Sequence, residues 1–355
     1  GVNTVELSAG IDGTDRTITL ASTNTIDLEA DAADDLSINV AGAGTTDVVN
    51  LILDNADIAV NLQAGNVETL NITSTGTADG GQNTIAGTTA INATAATETI
   101  KITGAEALTF AGVVTADVID GSEMTDILTL TAGTAGSATV TGGSANDVLN
   151  IANGLADIVG GGAGADVITF DIEAADILTG GAGADTFTMD NDTDVTFAGA
   201  TIVDLTTIDN VDLDESTLET NTVGGAAITE LTDFAGNDIS GAQDLTFVSI
   251  SSDNTALTTG DIGVITGKTY ADLAAVLTDI GTAGARTFTA AANYNDEDGV
   301  LLAYELTSGG TQVALFAHNG GGNASSNSMD AADVVMTLSG VSATSLQTMN
   351  FDLIA

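Results

Sequence analysis

The hexapeptide GGAGAD occupies residues 161–166 and returns at 180–185, and each copy runs directly into β-formers, VITF and TFTM. Around these copies a nine-residue frame can be laid on the aspartate: GGSANDVLN (142–150), ANGLADIVG (152–160), GGAGADVIT (161–169), DIEAADILT (171–179) and GGAGADTFT (180–188). In all five the sixth residue is Asp and the eighth is aliphatic or aromatic, with Ile151 and Phe170 as single spacers. The frame persists more weakly upstream in GVVTADVID (112–120), GSEMTDILT (121–129) and GAGTTDVVN (42–50), where ordinary turn capping by an Asx side chain is the expected role of the aspartate.

Glycines at the first, second and fourth positions permit positive φ and let carbonyl oxygens turn inward, while the aspartate adds a carboxylate beside them. The last three residues of each nine form a short strand whose eighth side chain enters a core. A chain wound in this way stacks its strands about 4.8 Å apart. Asp147, Asp166 and Asp185 then line one edge, and Asp157 and Asp176 the other. Elsewhere in the first half, short β-rich pieces such as LSINV (36–40), VVNLIL (48–53), VETLNIT (67–73) and ETIKIT (98–103) recur about every ten residues between Gly, Asn, Asp and Thr. That spacing suits a sandwich or a solenoid, and the register of 142–188 selects the solenoid.

Charge points the same way. Asp and Glu number 50 against 4 Lys and Arg, a formal net charge of −46. The cations Arg16, Lys101, Lys268 and Arg286 cannot line a basic groove, which excludes nucleic acid as a partner. With 43% hydrophobic residues the chain is expected to pack, and a packed body of this charge calls for bound cations at fixed carboxylates. Cysteine is absent, which rules out thiolate metal sites and disulfides, and no apolar run reaches the length of a membrane span. The chain opens at Gly1 with neither a methionine nor an apolar signal region, so any leader or N-terminal domain would lie outside this sequence.

GGxGxDxUx resembles the nonapeptide of the RTX (repeats-in-toxin) calcium-binding family, a β-helix repeat. The resemblance implies a parallel β-roll in which Ca2+ lies between successive turns. One ion is implied between loops 142–147 and 161–166 and another between 161–166 and 180–185. Their ligands would be Asp147, Asp166 and Asp185 with loop carbonyls at Gly142, Ser144, Gly161, Ala163, Gly180 and Ala182. Ala145 stands where the third glycine of the first loop belongs, and the opposite edge, with Asp157 and Asp176 as its carboxylates, has almost none of the glycines.

The fold expected is therefore all-β. A degenerate β-repeat over 1–110 leads into a calcium β-roll over 111–215, and a β-rich C-terminal domain over 216–355 carries one short helix. That helix is TYADLAAVLTDIG (269–281), with Leu273, Val276, Leu277 and Ile280 on one face, Thr269 and Asp272 at capping-box spacing and Gly281 as the stop. Strands are expected at DLTFVSI (244–250), GVLLAYEL (299–306), TQVALFA (311–317) and DVVMTLSGV (333–341). The closing LQTMNFDLIA, an acidic residue followed by apolar ones, resembles the C-terminal secretion signal of type I exported RTX proteins.

Catalytic signatures are missing from the sequence. The sole histidine, His318, lies in AHNGGGNASS without an evident triad partner, and there is no HExxH or GxSxG motif. NYNDEDGV (293–300) places Tyr294 where an EF-hand needs its first ligand, and an acidic turn is expected there. Asn71, Asn92, Asn191 and Asn323 lie in N-x-S/T sequons. A long Thr-, Asn-, Ala- and Gly-rich β array of this kind is most similar to RTX surface-layer proteins. The similarity implies an extracellular, non-enzymatic subunit that assembles with itself and meets surface polysaccharide. An RTX adhesin or matrix protein, or the secretion half of a truncated exoenzyme, is the alternative.

Overall fold

A computed structural model describes residues 4–8, 16–33, 35–41, 44–59, 61–76, 82–92, 97–133, 136–191, 197–219, 222–223, 226–228, 230–233, 238–250, 261–280, 298–318 and 329–354. The chain divides into two compact units, Gly1–Thr169 with Gly180–Asp185, and Phe170–Thr179 with Thr186–Ala355.

In the first unit successive strands alternate between two sheets. One sheet runs Thr4–Leu7, Asn24–Leu28, Val48–Asp54, Thr69–Thr75, Thr99–Gly104, Val118–Met124, Thr139–Thr141 and Ile158–Ala163. The other runs Arg16–Leu20, Leu36–Val40, Leu62–Gly65, Thr89–Asn92, Ala107–Thr115, Leu128–Ala132, Val148–Asn150 and Val167–Phe170, with Gln82–Ile85 paired to Ala107–Thr115. Neighbours are parallel throughout, as a wound chain requires. The coil length is 19 residues across the GGxGxD region (Thr139↔Ile158, Val148↔Val167) and longer upstream, where Asn50↔Asn71 spans 21 and Thr73 meets Thr103 across 30.

Strict alternation of apolar and polar residues builds the core. Val49 and Leu51 point inward from one strand, Leu70 and Ile72 from the next, then Ile100 and Ile102, apolar residue on apolar residue, while Leu53 meets the buried Ser74. Every one of these side chains is fully buried, so truncating a middle rung, for example Ile72→Ala, removes about 2–5 kcal/mol.

The second unit starts as the same kind of ladder. Asn210–Asp214 pairs in parallel with Thr186–Met189 on one side and with Asn350–Ile354 on the other, and Ala200–Ile202 pairs in parallel with Met329–Leu338. Between these rungs the chain adds an antiparallel run, Met329–Leu338, Thr311–His318 and Asp298–Leu306, followed by parallel Ile262–Tyr270 and Phe247–Ile250. Residues 298–300 thus belong to a strand, while 293–297 lie outside the described residues.

The expected helix spans Leu273–Ile280. Its cap is Asp272, whose Oδ1 accepts the Ala275 N–H at 2.8 Å. Thr269 does not cap it, because the β-branched run before it continues as strand through Tyr270. Val276 and Ile280 pack against Tyr304, Phe316 and Leu302, with Leu273 and Leu277 at the margin. Asp279 fixes the helix to the strand: it accepts the Tyr270 hydroxyl at 2.6 Å and pairs with Lys268 Nζ at 2.6 Å. Two single-turn helices, Glu215–Glu219 and Ala343–Leu346, accompany it. Phe351 and Leu353 are core residues, and Phe351 meets Phe247 edge to face at 5.6 Å. The apolar residues of the tail are thereby accounted for by packing. No helix among the described residues is long and apolar enough to cross a membrane.

Candidate metal centre

The 19-residue coil stacks loops 142–147, 161–166 and 180–185 along one edge of the first unit. Gly162, Gly164, Gly181 and Gly183 all have positive φ there, and a Cβ on Gly162 or Gly181 would collide with the carbonyl oxygen of Gly143 or Gly162 one turn away. Backbone bonds tie the loops together: Gly142 N–H donates to Gly160 O at 2.8 Å, Ala163 N–H to Gly143 O at 3.0 Å and Gly164 N–H to Ala182 O at 2.8 Å. Ser144 repeats the Ala163 bond one coil earlier, donating its N–H to Met124 O at 3.1 Å, and its hydroxyl donates to the same oxygen at 3.3 Å.

Asp147, Asp166 and Asp185 are buried at this edge, at 0%, 1% and 2% exposure. Each carboxylate reaches one turn back. Asp147 Oδ1 accepts Leu128 N–H at 2.8 Å, Asp166 Oδ1 accepts Asp147 N–H at 2.7 Å and Asp185 Oδ1 accepts Asp166 N–H at 2.9 Å. The second oxygens face the glycine loops. Asp147 Oδ2 and Gly161 O converge on the point that a Cβ of Gly142 would fill, as do Asp166 Oδ2 and Gly180 O at Gly161. Asp147 Oδ2 accepts Gly143 N–H. Asp166 Oδ2 is buried and has no hydrogen-bond partner.

Burial is the main reason that Asp166 is pushed up to about 6, reinforced by the charges of Asp147 and Asp185 and opposed by the Asp147 N–H. Asp147 is raised for the same leading reason, with its bonds from Leu128 and Gly143 working against the shift. A buried carboxylate column with an unmatched oxygen beside inward carbonyls is a hard-donor set suited to Ca2+. Among the described residues no three Asp, Glu or His side chains gather into a metal-holding group. A cation at this edge would therefore take one or two carboxylates and complete its shell from the backbone. Gly161 O and Gly180 O are placed for that, whereas Ala182 O already accepts a ladder bond.

On the opposite edge Asp157 is held differently. Asp157 is 1% exposed, and its Oδ1 accepts Ala138 N–H at 2.6 Å while Oδ2 accepts the Asn153 side-chain amide at 2.8 Å. Asp176 is fully buried in the second unit, where its carbonyl accepts Thr201 N–H at 2.7 Å. In the upstream frame 112–120 Asp117 Oδ2 accepts Glu98 N–H at 2.9 Å, one coil back, the same cross-coil bond that Asp147, Asp166 and Asp185 make and not a local Asx cap. Sequence reasoning missed Asn153 as the partner of Asp157, and Asn146, whose Oδ1 accepts Ala165 N–H at 2.8 Å. Both lie inside the nine-residue frame, so polar residues at its second and fifth positions carry that signal. His318 ends the strand Thr311–His318, and residues 319–328 lie outside the described residues.

No protein-family model matches the chain, and no curated protein matches it.

Proposed function

We propose that the chain is a calcium-dependent, self-assembling structural subunit of the extracellular RTX type, non-enzymatic and displayed in a surface layer or filament. The observation that carries the calcium reading is Asp166 Oδ2, a buried carboxylate oxygen without a donor, set in a glycine loop beside the Gly180 carbonyl. The bland alternative for a GGxGxD aspartate, that it only caps turn N–H groups, accounts for Asp166 Oδ1 and leaves Oδ2 unexplained. Asp147, Asp166 and Asp185 with the Gly161 and Gly180 carbonyls would hold the ions. Bound Ca2+ supplies positive charge that offsets a column of buried carboxylates in a chain of net charge −46.

Self-assembly and an extracellular setting rest on the resemblance of the repeats to RTX surface-layer proteins and on the length of the β array. Negative-stain micrographs of the purified full chain test the assignment. Lattices or filaments are expected in millimolar calcium and dispersed particles after EGTA. Single particles in both conditions would overturn the assembly reading, and assemblies indifferent to EGTA would overturn its calcium dependence.

A further inference from the structure

The two sheets of the first unit differ in charge. In the sheet that begins at Thr4–Leu7, the strands carry Glu6, Asp27, Asp54, Lys101, Asp120 and Glu123. In the sheet that begins at Arg16–Leu20, Arg16 is the one charged residue in any strand, and Asp, Glu and Lys do not occur. Charged residues make up 15% of the chain, so the absence of carboxylates from this sheet's strands in the first unit is a departure from its composition.

The outward positions of this sheet are small, β-branched or amide-bearing, and register stacks them in columns. Thr109, Thr129, Val148 and Val167 form one column, and Thr131, Asn150 and Thr169 the next. Aliphatic groups stay in water on this side: Val113 is 39% exposed, Ile127 40% and Val148 39%.

We infer that two copies of the chain meet through this face, neutral sheet against neutral sheet. The inference rests on the self-assembly proposed above and names its contact surface. Charge selects the occupant. Two bodies of −46 repel wherever their carboxylates approach, and this is the sheet of the unit whose strands carry no carboxylate, the acids Asp35, Glu106, Asp117 and Asp126 standing at the strand ends. Thr and Asn ladders supply donors and acceptors to each other, and β-branched side chains interdigitate between sheets about 10 Å apart. The face is self-complementary, as an isologous two-fold contact requires. Eight rungs at about 4.8 Å by roughly 15 Å of strand give roughly 570 Å² per copy, about 1,100 Å² in all, which clears the roughly 1,000 Å² of a specific interface. The outward positions named above carry no aromatic ring on which a sugar could stack, which disfavours a glycan as the occupant.

The full chain in millimolar calcium tests this. Because cysteine is absent, a single Thr131→Cys forms disulfide-linked dimers on mild oxidation, and Thr99→Cys on the charged sheet does not. Thr129→Asp with Asn150→Asp weakens self-association in sedimentation velocity by about tenfold or more, whereas Asn71→Asp with Thr99→Asp leaves it in place. Circular dichroism checks that every variant keeps its β spectrum. Equal cross-linking from both cysteines, or association indifferent to the Thr129 and Asn150 charges, overturns the face while self-assembly stands. A wild-type chain that stays monomeric in calcium overturns both. A monomeric chain that binds insoluble neutral polysaccharide, and loses it with Thr129→Asp and Asn150→Asp, assigns the face to a glycan and overturns the dimer.

Discussion

Asp166 and Asp157 hold the same sixth place in the nine-residue frame and are equally buried, at 1% exposure each, yet their surroundings differ by one feature. At Asp157 both carboxylate oxygens accept donors, from Ala138 N–H and the Asn153 amide. At Asp166 one oxygen accepts the Asp147 N–H, and the other faces a carbonyl-lined glycine loop with no donor. The frame decides where a carboxylate sits; the residues before it decide what it faces. At Asp157 the residue four places ahead, Asn153, donates its amide to the second oxygen; at Asp166 that place is Gly162, and the second oxygen faces the Gly180 carbonyl, an arrangement that a cation completes.

The largest expected effect separates the edges by chelation. At a hundredfold excess over Kd each ion adds about 2.7 kcal/mol, so stripping two ions from the glycine edge lowers the unfolding free energy by about 5 kcal/mol. Urea titrations followed by circular dichroism with and without EGTA measure it, and coincident curves would remove the distinction between the edges.

Next in size is a reversal of sign. Asp166→Asn removes a buried charge whose ionisation costs the metal-free fold on the order of 3 kcal/mol at neutral pH. In EGTA the variant should therefore melt above the wild type, and in calcium below it. Asp157→Ala strands two donors and should cost about 1–3 kcal/mol in either condition. Calorimetry of both variants in both buffers checks the pair. A calcium-dependent penalty for Asp157→Ala, equal to that for Asp166→Asn, would show the edges to be equivalent.

The smallest effect sharpens the comparison through pH. The folded value of Asp166, about 6, lies above the ordinary 3.8, so the folded state holds the proton more tightly. Stability without metal then rises as pH falls from 7 toward 4, by roughly 1 kcal/mol between pH 7 and pH 5. Calcium competes with that proton and weakens over the same interval. The measurement is the melting temperature in EGTA across this range, for the wild type minus Asp166→Asn; a flat difference contradicts the assigned environment.

Much of the ladder is legible in the sequence because one rung carries its own signal. LSINV matches Leu36–Val40 residue for residue, and VVNLIL opens the strand Val48–Asp54, since alternating burial writes a two-residue period into each segment. The stack of Asp147, Asp166 and Asp185 follows from the 19-residue spacing alone. What stays hidden is pairing between distant segments. Asn350–Ile354 joins Asn210–Asp214 in parallel across about 140 residues, and nothing local in NFDLI says so. The tail's apolar pattern reads as an export signal in the sequence, and its pairing with Asn210–Asp214 adds a packing role that the sequence does not disclose. The helix start was displaced for a related reason: Thr269 suits a cap, but GVITGKTY is a better strand. The neutral sheet escapes notice in a linear reading because its strands alternate along the chain with charged ones.

The aspartates that reach one turn back also bear on how a repetitive chain avoids winding wrongly. A slip of one residue would carry each carboxylate about 3.3 Å from its N–H and turn every core side chain outward, so single-residue errors are penalised at each turn. A skip of one whole coil is another matter. Leu128, Asp147 and Asp166 each receive the same kind of oxygen from the next turn, and loop 180–185 carries the same six residues as loop 161–166. A chain lacking 161–179 would present an identical loop to Asp147, which makes the number of coils the quantity that this architecture leaves free to grow or shrink, in steps of 19.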